Sequence, residues 1–432
     1  MTNKKRYTIV GLGARAQFFV NALAGAGREH SELVGFCDLS AARMAWYNRQ
    51  LGEQHSHAPV STYHANKFEK MLAEQKADVV IVTTTDALHH EYIVRAMEAG
   101  CDCIVEKPMT IDALKARAIQ DAIARTGRSL QVTFNMRYQP LTAKVRELIA
   151  EGAIGKPLAV NFTYRLDTRH GADYFRRWHR DKANSGGLLV HKSTHHFDLV
   201  NWLIDSTPED VFAFGDLKFY GDEAATLRGE NYDYDRYTGN SAAHRDPFAM
   251  QLDNDDYHRS LYLDGETESG YIRDRNVFSP GITSEDTMAV LARYRNGVIM
   301  NYSLIAYTPQ EGYELYITGT KGRIEVRVQR PPHVLDKDMQ PVQDQTETSA
   351  VQVLPMFGEP YEVAIPYVEG GHGGGDAILV GHLFNNGTPI ADPLKQRASF
   401  REGLSSLALG VAANESINSG QRVVVSELFD LD

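Results

Sequence analysis

A short apolar run, Tyr7 to Val10, meets Gly11-Leu-Gly-Ala-Arg-Ala16, and Gln17 to Ala24 then has helical composition. Strand, glycine turn and helix in that order constrain this chain more than any other segment. The first glycine permits a tight turn, and the second lets backbone approach a diphosphate at a helix N-terminus, where N–H groups point outward unpaired. Alone the pattern is weak, because glycine turns also arise by chance. Here it is answered by Asp38 at the end of the next strand candidate, Leu33 to Cys37. A carboxylate there can accept hydrogen bonds from adenosine ribose hydroxyls and repels a 2′-phosphate. Gly11, Gly13, Ala14, Arg15 and Asp38 are therefore expected to bind a dinucleotide, NAD in preference to NADP. The competing reading makes Asp38 a cap for the helix that starts near Ser40, and Arg43 one turn on could rescue NADP binding.

The alternation continues downstream. Ser40 to Leu51 and Lys67 to Gln75 read as helices, Ala77 to Thr83 as a buried strand, and His89 to Ala99 as a helix. Cys103 to Val105, Ile111 to Thr126 and Leu130 to Thr133 add strand, helix and strand. Alternating β and α segments predict a parallel sheet, so residues 1–138 are expected to form a doubly wound Rossmann domain. That pattern stops at Met136 to Pro140. Beyond helix Leu141 to Glu151 and strand Leu158 to Arg165 come Met288 to Tyr294, Val298 to Ile305, Tyr313 to Thr318 and Gly322 to Val328. These runs, separated by Asn-Gly and Lys-Gly turns, read as antiparallel strands. Residues 139–432 are thus expected to form an α+β domain with a large, mostly antiparallel open sheet, making the chain α/β overall. Asp205 to Thr283 is rich in Asp, Tyr, Gly and Asn and reads as an excursion from the core. Pro331 to Gly375 reads as irregular, and a final helix spans Arg397 to Ser419.

A chain of 432 residues is too long for one ordinary core and is expected to divide into two domains with a cleft between them. The formal charge of -11 argues against nucleic acid and against anionic membrane as partners. Only three cysteines occur, Cys37, Cys101 and Cys103, which fits a reducing compartment. Lys4, Lys5 and Arg6 before an apolar stretch loosely imitate a signal peptide, but Arg15, Gln17 and Asn21 interrupt it. A cytoplasmic protein is expected.

Further motifs, taken in order, narrow the reading. Thr84-Thr-Asp-Ala-Leu-His89 follows the fourth strand, Val105-Glu-Lys-Pro108 the fifth, and Asn135-Met-Arg-Tyr138 stands at the domain junction. Ser185-Gly-Gly187 leads to His191, His195 and Asp198, and Gly319-Thr-Lys-Gly322 makes a late turn. Outside the excursion, the chain resembles the glucose-fructose oxidoreductase, inositol dehydrogenase and rhizopine-catabolism (Gfo/Idh/MocA) family. The resemblance implies an NAD-dependent enzyme acting on a CH–OH group of a sugar or polyol, and a homo-oligomer, dimer or tetramer, joined through the open sheet face. It adds Thr84, His89, Glu106, Lys107 and Asn135 to the cofactor contacts and implies catalysis by Lys107 and His195, with His191 beside them. Two departures stand out: Thr85 occupies a position where proline is usual, and His191 one where many members carry aspartate. The second puts the usual Lys, Asp and His triad in doubt.

Oxidising a secondary alcohol sends a hydride to nicotinamide while a base takes the hydroxyl proton. Imidazole titrates near neutrality, which suits His195, and an ammonium at a strand's carboxyl end, Lys107, can stabilise the developing alkoxide. His191, His195 and Asp198 would share one face if Leu188 to Ile204 is a single helix, with Val190, Phe197, Val200 and Leu203 packed toward a core. Either histidine reads also as a hydrogen-bonded core residue. Arg137, Tyr138, Trp178, Lys192, His196 and His372 are the expected substrate contacts, His372 on a glycine-rich loop from Gly370 to Asp376. Asn231 to Tyr237 and Asp253 to His258 mix hydrogen-bonding groups with aromatic faces, which suits sugars and equally a solvated lobe or subunit contact. His-x-x-x-His is also metal-ligand spacing, but no glutamate follows His191 as in zinc peptidases, and no metal is expected. Two alternatives stay open: redox-assisted glycoside cleavage that regenerates NAD in each turnover, and a non-catalytic NAD-bound sensor.

Overall fold

The computed structural model describes residues 4–335, 347–366, 374–385 and 390–431. His372 lies outside them. Two compact units emerge. The first joins Met1–Gln139 to Leu252–Arg273 and Val368–Leu404, and the second joins Pro140–Gln251, Asp274–Tyr367 and Ser405–Asp432. Besides the N-terminal segment, the first unit takes in part of the excursion and a later segment.

In the first unit, β1 (Lys5–Val10), β2 (Ser31–Asp38), β3 (Ser61–His64), β4 (Val79–Val82), β5 (Asp102–Val105) and β6 (Leu130–Val132) lie parallel in the order 6-5-4-1-2-3. Ala398–Ser399 adds an antiparallel edge beside β6. Val79, Val80, Ile81 and Val82 are all buried, as expected of a central parallel strand covered on both faces. Helices α1 (Ala16–Ala24), α2 (Ala41–His55), α3 (Phe68–Gln75), α4 (His89–Glu98) and α5 (Ala113–Thr126) connect the strands. Because β1 has β2 on one side and β4 on the other, its carboxyl end is the switch point at which such sheets bind ligands. The glycine turn begins there.

In the second unit, β7 (Pro157–Asp167), β8 (Pro208–Asp216), β9 (Thr287–Tyr294), β10 (Ile299–Thr308), β11 (Gly312–Gly319), β12 (Gly322–Gln329), β13 (Thr348–Pro355) and β14 (Tyr361–Glu362) build a nine-stranded sheet with Val423–Val424. Its order is 14-13-12-11-7-10-9-8 and then the short edge strand; among the described residues only β7 and β10 pair in parallel within it. Met300, Tyr302 and Leu304 point to the core from β10, while Phe214, Leu291 and Ile299 are exposed. One covered face and one open face explain the alternating sequence.

In this sheet β8, β13 and β14 lie where no regular element was expected, as does β3 in the first unit. β8 opens the supposed excursion, and β13 and β14 occupy the stretch read as irregular. Pro208, Glu209 and Asp210 disguise β8, which takes its hydrogen bonds from the whole length of β9. Helices α6 (Pro140–Ala150), α7 (Thr168–Arg176) and α8 (Lys182–Ser185) precede the glycine pair, and α9 (Leu188–His191) and α10 (Thr194–Ile204) follow it. The helix expected from Leu188 to Ile204 is thus broken at Lys192-Ser193. Ser193 N–H reaches back to Leu188 O, Ser193 Oγ pairs with Tyr302 Oη at 2.9 Å, and Thr194 Oγ1 donates to Val190 O at 2.8 Å. Hydroxyl side chains that compete for backbone or tertiary partners interrupt helices in this way.

Candidate active site

The glycine turn is held from three sides. Leu12 N donates to Asp38 Oδ2 at 2.5 Å and Ser40 N to Asp38 Oδ1 at 2.8 Å, so the buried carboxylate ties the turn to the start of α2. Ser40 caps that helix by accepting from Arg43 N at 3.2 Å, which leaves Asp38 a bridge rather than the cap. Gly11 has φ +85°, and a Cβ on it would lie 2.6 Å from Thr84 N, so the turn and the loop after β4 approach too closely for any other residue. Around Gly13, by contrast, a Cβ would meet nothing within 4 Å. That open space beside helix N–H groups fits a diphosphate. Asn135 Oδ1 is buried with no hydrogen-bond partner, as an acceptor awaiting a ligand's amide would be. These residues fit a bound dinucleotide.

Lys107 follows β5 and is half-buried. Its own N–H donates to Glu106 Oε2 at 3.1 Å, and Glu106 Oε1 receives Arg15 Nε at 2.6 Å and Thr133 Oγ1 at 2.9 Å. Arg15, expected to face the cofactor, instead has a protein carboxylate as partner and lies 4.5 Å from the Phe18 ring centre. His89 is buried, with Nδ1 2.9 Å from Pro108 O and Nε2 3.1 Å from Thr84 O. Burial lowers its pKa, outweighing the two carbonyls that would raise it. Its ring thereby bridges Thr84 and the Lys107-Pro108 segment. Arg137 and Tyr138 are also buried: Arg137 Nη1 donates to Lys395 O at 3.2 Å, Gln396 Nε2 to Arg137 O at 2.6 Å, and the Tyr138 ring packs edge-on against His382.

In the second unit, imidazoles and aromatic rings gather around the glycine pair. His191 is buried at the end of α9, its ring centre 4.1 Å from that of His179, 5.5 Å from Tyr174 and 5.6 Å from Trp178. Trp178 stacks on His179 at 3.6 Å. His195 lies half-buried in the first turn of α10, two residues beyond the break. Lys192 Nζ sits 4.9 Å from the Tyr164 ring centre, and its charge helps depress the carboxyl of Glu311. His196 is different: fully buried, it stacks on Tyr164 at 4.2 Å and places Nδ1 2.7 Å from Tyr302 Oη. The structure makes it a core histidine, contrary to the expected substrate contact. Among the described residues no group of three or more His, Cys, Asp or Glu side chains is arranged to hold a metal ion, and no helix is long and apolar enough to cross a membrane.

Comparison with known proteins decides the family. Residues 5–134 match the NAD-binding Rossmann domain of the oxidoreductase family described as GFO_IDH_MocA, and residues 146–425 match its C-terminal alpha/beta domain. The chain belongs to the Gfo/Idh/MocA family. It is 33% identical over 439 residues to YteT of Bacillus subtilis, an oxidoreductase by name, with 99% of both chains covered. The scyllo-inositol 2-dehydrogenase (NAD(+)) of the same organism is 26% identical over 50% of this chain and 58% of that protein. Among solved structures, the aldose-aldose oxidoreductase of Caulobacter crescentus superposes with a TM-score of 0.63 at 18% identity, covering 98% of this chain and all of that one. At this identity the likeness shows the fold. As a member of the family, the chain is an oxidoreductase with an NAD-binding Rossmann domain.

Several residues of these sites escaped sequence reading. Glu311, itself buried, accepts from Arg330 Nη1 at 2.6 Å and has His170 Nδ1 at 2.8 Å, assembling a charge network beside the aromatic cluster. Residues 170 and 311 lie 141 apart in sequence, and no local pattern announces their meeting. Asp253 to His258, read as a sugar-binding or solvated stretch, belongs to the first unit, where Asp256 pairs with Arg49 at 2.8 Å and Tyr257 packs on Trp46.

Proposed function

We propose that this Gfo/Idh/MocA protein oxidises a secondary hydroxyl of a sugar, glycoside or cyclitol. The observation that carries the reading is the cluster around the glycine pair. The rings of Tyr174 and Trp178 offer apolar faces of the kind that cover sugar C–H groups, while His191, His179 and Lys192 bring hydrogen-bonding groups to the same neighbourhood. The names of relatives such as the D-glucoside 3-dehydrogenase of Escherichia coli, 28% identical over 46% of this chain and 54% of that protein, support the substrate class. Bound NAD supplies the hydride acceptor. His195 takes the hydroxyl proton, and the Lys107 ammonium stabilises the alkoxide as charge develops on oxygen. Glu106 holds the Lys107 backbone in place, and Asn135 Oδ1 stands ready to accept from the nicotinamide amide.

An absorbance screen for NADH across inositols, glucosides and sugar acids tests the reading. Lys107→Ala and His195→Ala should each lower kcat by roughly 10²–10⁴-fold while NAD affinity stays within about threefold. Near-normal turnover in both variants, or no NADH from any polyol, would sink it. The substitution of His191 for aspartate favours a second reading, redox-neutral glycoside cleavage. In that case a glycoside would be hydrolysed with NAD needed only in catalytic amount and no NADH accumulating.

A further inference from the structure

Leu252–Arg273, part of the supposed excursion, belongs to the same compact unit as the glycine turn. Tyr262 Oη accepts from Ala14 N at 3.1 Å across 248 residues of sequence, and Leu261 O accepts from Arg43 Nε at 2.7 Å. Glu268 Oε2 then accepts from Ser40 Oγ at 2.6 Å and from Ala42 N at 3.2 Å. The approach is close: a Cβ on Gly265 would lie 2.6 Å from Ser40 Oγ.

The place where this strap lands has a chemical meaning. In a Rossmann unit the acidic residue ending β2 reads the ribose 2′-hydroxyl, and NADP is accommodated when an arginine nearby can take its 2′-phosphate; free N–H groups at the next helix's N-terminus favour an anion in the same way. Here those groups are Ser40 Oγ, Ala42 N and Arg43, and each already has an acceptor. Glu268 takes the first two, while Arg43 gives Nε to Leu261 O, Nη1 to Asp38 Oδ1 at 3.4 Å and Nη2 to Ser269 Oγ at 3.4 Å. We propose that Glu268 is a cofactor-specificity residue, whose carboxylate occupies the donors a 2′-phosphate would need and so excludes NADP. Its hydrogen bond from Ser40 also holds its carboxyl below the ordinary range, so the charge is present throughout neutral pH. The inference rests on the NAD-binding unit alone and is independent of the substrate.

The test is calorimetric titration of the full chain with NAD, NADP, 5′-AMP and 2′,5′-ADP, comparing unaltered protein with Glu268→Gln and Glu268→Lys. Glu268 is exposed, so neither change disturbs a core. In the glutamine variant, affinity for 2′,5′-ADP and NADP should rise about tenfold, and further in the lysine variant, while NAD and 5′-AMP stay within about threefold. Added salt should shrink the lysine variant's gain, because the charges are exposed. Unchanged NADP and 2′,5′-ADP affinity in both variants would overturn the proposal. So would a parallel weakening of NAD and NADP, which would make Glu268 a clasp for the turn and nothing more.

Discussion

Replacing Glu311 by glutamine removes one charge from the interior of the second unit and leaves the side chain's shape. The Glu311 side chain is 3% exposed and lies against Arg330 and His170. Burial alone would raise its pKa, but the His170 hydrogen bond and the charges of His170, Arg330 and Lys192 pull it down to about 2. The folded value lies below the unfolded one, about 4.3, so the stabilisation is complete above about pH 4.3 and is lost as pH falls toward about 2. A gap of roughly two units corresponds to about 3 kcal/mol. Because the His170 and Arg330 side chains are 35% and 47% exposed, solvent screens the pair, and about 2 kcal/mol is the expected cost of Glu311→Gln at neutral pH. Protonated glutamic acid resembles glutamine, so the two proteins should converge as pH falls. Urea unfolding of both at several pH values, followed by far-ultraviolet circular dichroism, measures the difference. A stability gap that stays constant from neutrality to about pH 3, or widens, would show that the Glu311 charge does not stabilise the fold.

Glu106→Gln sets an amide against Arg15 and loosens the anchor of Lys107 N, so kcat/KM should fall about tenfold, less than on removing the lysine itself, with NAD affinity nearly kept. Activity equal to that of the unaltered protein would show that the anchor is dispensable. Gly11→Ala forces a Cβ to 2.6 Å from Thr84 N at φ +85° and should weaken NAD binding by roughly thirtyfold or more, measured by calorimetry. Unimpaired binding would mean that the turn is not the diphosphate cradle.

The Rossmann half was legible because its signals are local. Asp38 closes a strand that starts within twenty residues of Gly13, and each helix lies between the strands it connects, so periodicity and turn chemistry report the fold directly. The antiparallel strands β9 to β12 were legible for the same reason, through alternation and short turns. β8 and β13 were not: β8 opens on Pro208, Glu209 and Asp210 inside a stretch rich in Asp, Tyr, Gly and Asn, and the apolar residues of β13 are interrupted by Gln352, so each is completed by its pairing with a neighbouring strand. β3 is short and largely exposed, with only Tyr63 partly covered, and offers no pattern at all.

The histidines show where periodicity fails for a physical reason. Spacing alone places His191 and His195 on one helical face, but spacing assumes that every backbone group continues the helix. Ser193 and Thr194 redirect the chain by engaging Tyr302 and Val190 O, so His191 ends one segment and His195 begins another. His196 is placed by residues far away: Tyr164 on β7 presents a ring face to it and Tyr302 on β10 a hydroxyl to its Nδ1. The strap follows the same logic at longer range. Nothing in Leu252–Arg273 reads as part of a dinucleotide unit until Trp46, Arg49, Ser40 and Ala14 supply its partners, and those partners lie on a helix and turn that the sequence does identify. What an exposed-looking, irregular segment does is decided by the donors and acceptors it lands on. Here they flank the carboxylate expected to read the cofactor's ribose, so a stretch without secondary-structure signal still bears on cofactor choice.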